Sequence, residues 1–283
     1  MNAMFRHTLT RLRGQLIGWG VALAVLGFLI TSLFNTVVHM RDQLQQLIGT
    51  LPPAALAFVG SLDRMFSPAG YLDARYFGLL PLILGILAVV IGSGLIASDE
   101  ENGTLDLILA YPIRRIDLLI GRWLAFGAAL IGILLIAWLG LVLAIVFASI
   151  DLNWLQVAIA FIPLFAILIW FGSFALLLSL ILPSRRSAAS LSGLVLVASY
   201  FITTLAKVST DLSALAQFSP LNYYQGGDAL NGLNLGWLIG LIGVTLIFTA
   251  IAAWLFQRRD IRVFGEGSWG LSFSRKDVEM RSN

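Results

Sequence analysis

The chain has 283 residues, of which 59 % are hydrophobic and only 12 % are charged, and its formal net charge is +3. Soluble domains carry about a quarter charged residues, so this composition excludes an ordinary soluble protein and predicts a membrane protein. The sequence has no cysteine, which excludes disulfides and cysteine-ligated metals, and the small net charge gives no reason to expect nucleic acid as a partner.

The first residues predict an amphipathic helix that lies on the membrane surface before the chain turns into its first span. Their apolar side chains are spaced by three or four residues and share one helical face: Phe5, Leu9, Leu12 and Leu16. Arg6 and Arg13 lie off that face. The alternative is a plain positively charged flank without a surface helix.

Six apolar runs are long enough to cross a bilayer, which takes about 20 helical residues. They are 16–38, 76–97, 123–150, 154–182, 188–206 and 233–256. Fourteen of the 18 Lys and Arg residues then fall on one side, so the positive-inside rule predicts that both termini and the loop 98–122 are cytoplasmic. We expect an all-α polytopic membrane protein, with residues 1–263 as one six-helix domain and 264–283 as a cytoplasmic tail.

The long loop on the other side of the membrane, His39–Arg75, predicts two further interfacial helices. Residues 44–51 place their apolar side chains on one face, and Pro52-Pro53 stops that helix. A second helical patch follows at 54–65. We expect these helices to rest on the membrane or to cap the spans from outside.

A charged island at 97–123 separates the second and third spans. It begins with three carboxylates and ends with two arginines that flank the third span: Asp99, Glu100, Glu101, Arg114 and Arg115. Between them we expect a short helix at Leu105–Ala110. Gly103 breaks the preceding helix, Thr104 caps the short one, and Pro112 ends it.

The short helix presents an apolar ridge, formed by Leu105, Ile108 and Leu109, beside acidic and basic shoulders. A ridge of this kind suits a groove on a soluble partner, so the pattern predicts a docking site. The alternative is a solvated hairpin that only joins two spans.

The last outer segment, 217–234, mixes aromatic residues, Gly-Gly and Asn between two apolar runs. Irregular backbone at membrane depth requires burial in protein or a wet cavity, so we interpret the segment as a re-entrant or interfacial element beside an outward exit. An ordinary loop with interfacial tyrosines is the alternative. The candidate exit residues are Phe218, Pro220, Tyr223, Tyr224, Gly226 and Gly227.

The spans, with the boundaries given above, contain no Asp, Glu, Lys, Arg or His. Ion-coupled carriers place ionisable groups there, so this pattern argues against a proton-driven transporter and favours a hydrophobic or amphipathic cargo. The sequence also lacks a P-loop and the common hydrolase motifs, so we expect neither an enzyme nor a catalytic, cofactor or metal site in this chain. Energy for transport would have to come from a partner.

Glu101-Asn-Gly-Thr-Leu105, followed by Leu109-Ala-Tyr-Pro-Ile113-Arg, resembles the E-x-G-T-L…L-x-x-P-[IVL]-[ST]-R pattern of ABC-2-type permeases, the membrane subunits of bacterial ABC exporters. The likeness extends to the six-span layout, the outer segment 219–227 and the residues 256–261. Arg114 departs from the pattern, because it stands where the family often has Ser or Thr, so either Arg114 or Arg115 fills the place of the final Arg.

The resemblance implies that two six-span subunits, identical or homologous, pair in a lipid membrane and dock on two copies of an ABC ATPase that binds ATP and Mg²⁺. Residues 104–112 would be the coupling helix, with Glu100 and Glu101 near the partner's surface. We therefore expect an ATP-driven exporter subunit of the bacterial inner membrane that moves a drug, peptide antibiotic or lipid-like compound. The alternatives are a stand-alone channel or facilitator, and a scaffold that recruits an ATPase without transport.

Overall fold

The computed structural model of the chain describes residues 2–39, 66–111, 113–148, 150, 152–206 and 212–258. Six helical stretches among them are long and apolar enough to cross a membrane, and none of the described residues forms a strand. The expected all-α fold with six spans is confirmed. Which side of the membrane holds the termini stays a prediction.

The helices of the described residues are numbered in chain order. They are α1 (Asn2–Ser32), α2 (Phe34–His39), α3 (Pro68–Leu72), a π-helical turn (Asp73–Phe77), α4 (Leu80–Gly94), α5 (Ala97–Glu101), α6 (Leu105–Leu109), α7 (Arg115–Ala148), α8 (Trp154–Ile181), α9 (Arg185–Ala206), α10 (Ser213–Ala216), two 3-10 turns (Pro220–Tyr223 and Gly226–Asn231) and α11 (Leu235–Arg258).

The N-terminal helix differs from its prediction. α1 runs unbroken over 31 residues, so the expected turn between a surface helix and the first span is wrong. Its predicted apolar face packs on the protein instead: Leu12 belongs to the core, and Leu16 lies against Gly132 of α7. Packing against α7 therefore holds the segment in line with the span.

Three other spans begin earlier than their hydropathy predicts. α7 starts at Arg115 and α9 at Arg185, and the second span extends outward through α3 and the π-helical turn to Pro68. A polar helix cap or a charged first turn adds little to hydropathy, which is why the apolar runs appear shorter than the helices. The helices predicted at 44–51 and 54–65 and the tail at 264–283 lie outside the described residues.

α8 is the centre of the bundle. It packs against α4, α7, α9 and α11, and most of its side chains are buried. Its closest approach to α4 joins Gly92 and Gly172: a methyl group added at Gly92 would overlap the Gly172 carbonyl, with only 2.7 Å left to the Gly172 Cα. Two glycines facing each other let the backbones of parallel helices touch, which is the usual way to pack helices tightly in lipid.

α1 and α7 form the longest pairing in the bundle and run in the same direction. Small residues make their contact close, since a methyl group on Gly140 would lie 2.5 Å from the Ala24 Cα. The same offset along the two chains brings Gly20 onto Ile136 and Gly132 onto Leu16. α1 and α7 are therefore in register over several turns.

Candidate functional site

The charged island folds into a hairpin, α5 and α6, which we call the hairpin (residues 97–111). Gly103 has a positive φ of 66° and ends α5. The Gly103 N–H donates to the Glu100 carbonyl at 3.1 Å, and the Thr104 N–H donates to the Asp99 carbonyl at 2.9 Å. This pair of bonds is a Schellman motif, which requires a residue that tolerates the left-handed conformation and so explains the glycine.

Thr104 does not cap α6 as the sequence predicts. Its backbone is helical, it makes no side-chain cap bond, and its hydroxyl donates back to the Asp99 carbonyl at 3.2 Å. The prediction was wrong because the hydroxyl bonds to the Asp99 carbonyl of α5 and not to an amide of α6. Thr104 thereby reinforces the turn between the two short helices.

The apolar ridge of α6 faces the protein rather than solvent. Leu105 is 2 % exposed, and Ile108 and Leu109 are partly buried against the core. The burial of Leu105 contradicts its place in a docking ridge, whereas a docking role for Ile108 and Leu109 stays a prediction. The large apolar side chains that the hairpin does expose are Leu107, at 69 %, and Tyr111, at 70 %.

A buried ion pair joins the hairpin to the third span. Asp99 and Arg122 are 8 % and 5 % exposed, and the Asp99 Oδ2 lies 2.5 Å from the Arg122 Nη2. The Arg122 Nη1 also donates to the Leu95 carbonyl at 2.6 Å. Arg11 of α1 approaches the other oxygen of Asp99 at 3.3 Å from the exposed side. One carboxylate thus holds α1, α5 and α7 together.

Sequence reasoning missed this pairing because the third span was drawn from residue 123, which left Arg122 in the loop 98–122. A signal was present: Leu118, Arg122 and Phe126 are spaced by four residues and all three are buried. A single arginine on an otherwise apolar stripe of a helix indicates a partner of opposite charge inside the bundle.

Glu101 makes a second link from the hairpin. Its Oε1 accepts a hydrogen bond of 2.8 Å from the Arg185 backbone N–H at the start of α9. Beside it, Ser184 and Ser187 exchange hydrogen bonds with each other's backbone amides and complete the helix cap. The carboxylate that the sequence assigned to a partner's surface thus stabilises the first turn of the fifth span, although Glu101 itself stays exposed.

The two arginines after the hairpin differ in their surroundings. Arg115 begins α7, and its Nη1 donates to the Phe256 carbonyl at the end of α11 at 3.4 Å. Arg114 is exposed. Pro112 lies outside the described residues. The hairpin, the start of α9 and the end of α11 therefore share one end of the bundle, which we call the hairpin end.

At the opposite end, the predicted exit segment is fixed to the second span. The Gly227 N–H donates to the Asp73 Oδ1 of the π-helical turn at 2.6 Å, and the Tyr224 hydroxyl donates to the Phe77 carbonyl at 3.0 Å. Burial, and then the nearby Asp73 carboxylate, raise the pKa of Tyr224 well above its usual value, so the hydroxyl keeps its proton. Gly226 has a φ of 57°, which favours glycine there.

The structure divides five of the six predicted exit residues between two cavities. Tyr224 and Gly226 line a cavity of about 700 Å³ beside the π-helical turn and α9. Phe218, Pro220 and Tyr223 line a more apolar one of about 450 Å³ between α8, α9 and α11. Gly227 packs on Asp73.

Replacing Gly103 tests the Schellman turn. We expect Gly103→Ala to lower the free energy of unfolding by about 1 kcal/mol, because a Cβ is strained at this φ. Asn102→Ala is the matched control, since Asn102 is exposed and right-handed. Thermal unfolding in detergent and amide hydrogen exchange at Thr104 measure the effect. Equal stability of the two variants would mean that the turn needs no glycine.

Comparison with known proteins gives one family match. A family model described as "ABC-2 family transporter protein" matches residues 12–261. No curated protein matches the chain with significant similarity. The matched range begins within α1 and continues past the end of α11, so it includes the hairpin, the outer segment, most of the first span and the whole of the other five.

Proposed function

Because this chain belongs to the ABC-2 transporter family, we propose that it is the membrane-spanning subunit of an ATP-driven exporter of the bacterial inner membrane. The family match supports a multi-pass transport component that associates with an ABC ATPase. Two ATPase copies, with bound ATP and Mg²⁺, and a second permease subunit complete the proposed assembly. Hydrolysis takes place on the partner.

The exposed face of the hairpin supports the proposal that a partner ATPase docks there and delivers energy to the spans. Leu107 and Tyr111 are large apolar side chains at 69 % and 70 % exposure, and Asp106, which precedes Leu107, is also exposed. Leu107 projects from α6, whose other face is anchored in the core through Leu105, and Tyr111 follows the end of that helix. A rigid helix with apolar anchors and an acidic neighbour suits a groove on a soluble partner.

Work delivered to the hairpin would reach several spans through polar contacts. Asp99 bonds to Arg122 of α7 and Arg11 of α1, and Glu101 bonds to the first amide of α9. A partner that binds the hairpin differently in its nucleotide-bound and nucleotide-free states would therefore shift these helix ends together. The difference in affinity between the two states supplies the energy for the conformational change.

The proposed cargo is hydrophobic or amphipathic. Leu, Ile, Val and Ala dominate the spans, and the exposed parts of α9 and α11 carry few polar side chains. Gly240 and Gly243 of α11 would accept a methyl group without meeting another atom of the chain. Such open glycine faces suit close packing against a second permease subunit.

Leu107→Asp is the direct test. We expect it to weaken co-purification with the ATPase by about 30-fold or more, since loss of a central apolar anchor costs about 2 kcal/mol and a buried charge costs further. Nucleotide-driven export in proteoliposomes should fall with it. The folded state should be unchanged, because the side chain is exposed.

Two controls separate docking from folding. Leu105→Asp introduces a charge into the core and is expected to abolish folding, whereas Asp106→Asn keeps the apolar anchors and should retain partner binding. Full partner binding and transport by Leu107→Asp would remove the docking assignment. Flux in vesicles without any ATPase would indicate a stand-alone channel, and ATPase binding without flux would indicate a scaffold.

A further inference from the structure

A polar cavity of about 180 Å³ lies at the hairpin end, between α1, α4 and the start of α9. Three guanidinium groups meet there with hydroxyl and amide groups, and the described lining contains no carboxylate: Thr8, Arg11, Gln15, Ser98, Arg122 and Arg185, together with His7. The cavity has room for several waters, or for a phosphate group and its first carbon atoms.

The arginines of this cavity offer more hydrogen-bond donors than their protein acceptors use. Arg122 donates to Asp99 and the Leu95 carbonyl, and Arg185 donates from its side chain to the Val90 carbonyl at 3.3 Å. A guanidinium group has five N–H donors. Arg122 is only 5 % exposed, so protein atoms surround most of its guanidinium group. Asp99 also fixes its position, so the donors are held in place before a ligand arrives.

The charges around the cavity favour an anion. Two carboxylates make direct contacts with these residues: Asp99 with the Arg11 and Arg122 side chains, and Glu101 with the Arg185 backbone amide. Three guanidinium charges face these two carboxylates. Guanidinium groups bind phosphate oxygens through paired, charge-assisted hydrogen bonds, and basic pockets at the cytoplasmic ends of spans bind anionic headgroups.

An apolar strip leads away from the cavity along the second span. Val90 lines the cavity and is 40 % exposed, and Ile86, one helical turn further from the hairpin end, is 51 % exposed. A free phosphate makes no contact with such an apolar strip, whereas the acyl chain of a lipid would cover it. We propose that the cavity binds the phosphate group of an anionic membrane lipid, with an acyl chain along Val90 and Ile86.

This site goes beyond the proposed function and does not depend on the ATPase. The full chain, purified in neutral detergent, is mixed separately with phosphatidylglycerol, phosphatidylcholine and inorganic phosphate. Native mass spectrometry counts the bound lipid, and thermal unfolding is followed in parallel. We expect phosphatidylglycerol to bind and to raise the unfolding midpoint, with phosphatidylcholine and inorganic phosphate far weaker.

Arginine variants locate the binding. Arg11→Gln and Arg185→Gln are each expected to weaken phosphatidylglycerol binding about fivefold. The matched controls, Arg13→Gln and Arg186→Gln, remove the same charge from exposed positions of the same helices outside the cavity and should bind as the native chain does. Size-exclusion profiles without lipid confirm that all four variants fold.

Each result decides the assignment. Selective binding of phosphatidylglycerol that depends on Arg11 and Arg185 supports it. An equal stabilisation by inorganic phosphate would overturn the lipid assignment in favour of a small-anion site. Equal binding of phosphatidylcholine would overturn the preference for an anionic lipid, and equal losses in the cavity and control variants would overturn the site itself.

Discussion

Asp99→Asn is expected to destabilise the chain by about 3–5 kcal/mol, because it leaves the Arg122 guanidinium buried without a counter-charge. The amide keeps the size of the carboxylate, so the change removes charge and not packing. Arg11 cannot compensate, since it is itself positive and lies at the exposed side of the site. Thermal unfolding in detergent and the yield of monodisperse protein measure the loss.

The double variant Asp99→Asn with Arg122→Met shows whether the loss of stability comes from the unpaired charge or from altered packing. It removes both charges and retains an unbranched side chain of similar length, so it should recover most of the stability lost by Asp99→Asn alone. Asp106→Asn, an exposed carboxylate in the same hairpin, should change the stability by less than about 0.5 kcal/mol. If Asp99→Asn and Asp106→Asn prove equally stable, the buried pair contributes nothing measurable.

Gly92→Ala is expected to have the other large effect. The added methyl group would overlap the backbone of Gly172, which cannot rotate away as a flexible side chain does. Overpacking in protein cores costs about 1–3 kcal/mol and occasionally more, and a backbone clash places this substitution at the upper end. We expect separation of α4 from α8, a lower unfolding midpoint and less protein in the membrane.

Gly193→Ala is the matched control for this prediction. It also adds one methyl group to a spanning helix, but nothing lies within 4 Å of that methyl position in the chain. Its stability should equal or slightly exceed that of the native protein, because alanine favours helix more than glycine does. A Gly92→Ala variant as stable as Gly193→Ala would show that α4 and α8 separate at little cost.

The number and approximate position of the spans could be predicted from the sequence, because the length of an apolar run is set by the bilayer. Whether an apolar helix face points to the protein's own core or to a partner could not be predicted. Periodicity places Leu105, Ile108 and Leu109 on one side of α6, but the same pattern fits a partner's groove and the protein's own core. The continuous α1 is a similar case, since Leu12 and Leu16 pack on protein where a surface helix was expected.

Contacts between segments far apart in the chain also could not be predicted from the sequence. The bond from the Gly227 amide to Asp73 and the bond from the Arg185 amide to Glu101 join residues far apart in the sequence, and no local pattern indicates them. Arg122 was closer to being predictable, because its spacing from Leu118 and Phe126 places it on a buried stripe. The boundary of the apolar run concealed this, since it was drawn one residue after the arginine.

The hydrogen bond between Glu101 and the start of α9 has a mechanical consequence. α1 is clamped along α7, and α4 touches α8 through paired glycines, whereas α9 buries only Ala188, Ser192, Leu196 and Ser199 within the chain. The helices that contact the hairpin are therefore held with different strength. A force applied to the hairpin would move the most weakly held helix, α9, the furthest, so it would appear chiefly as a tilt of the fifth span.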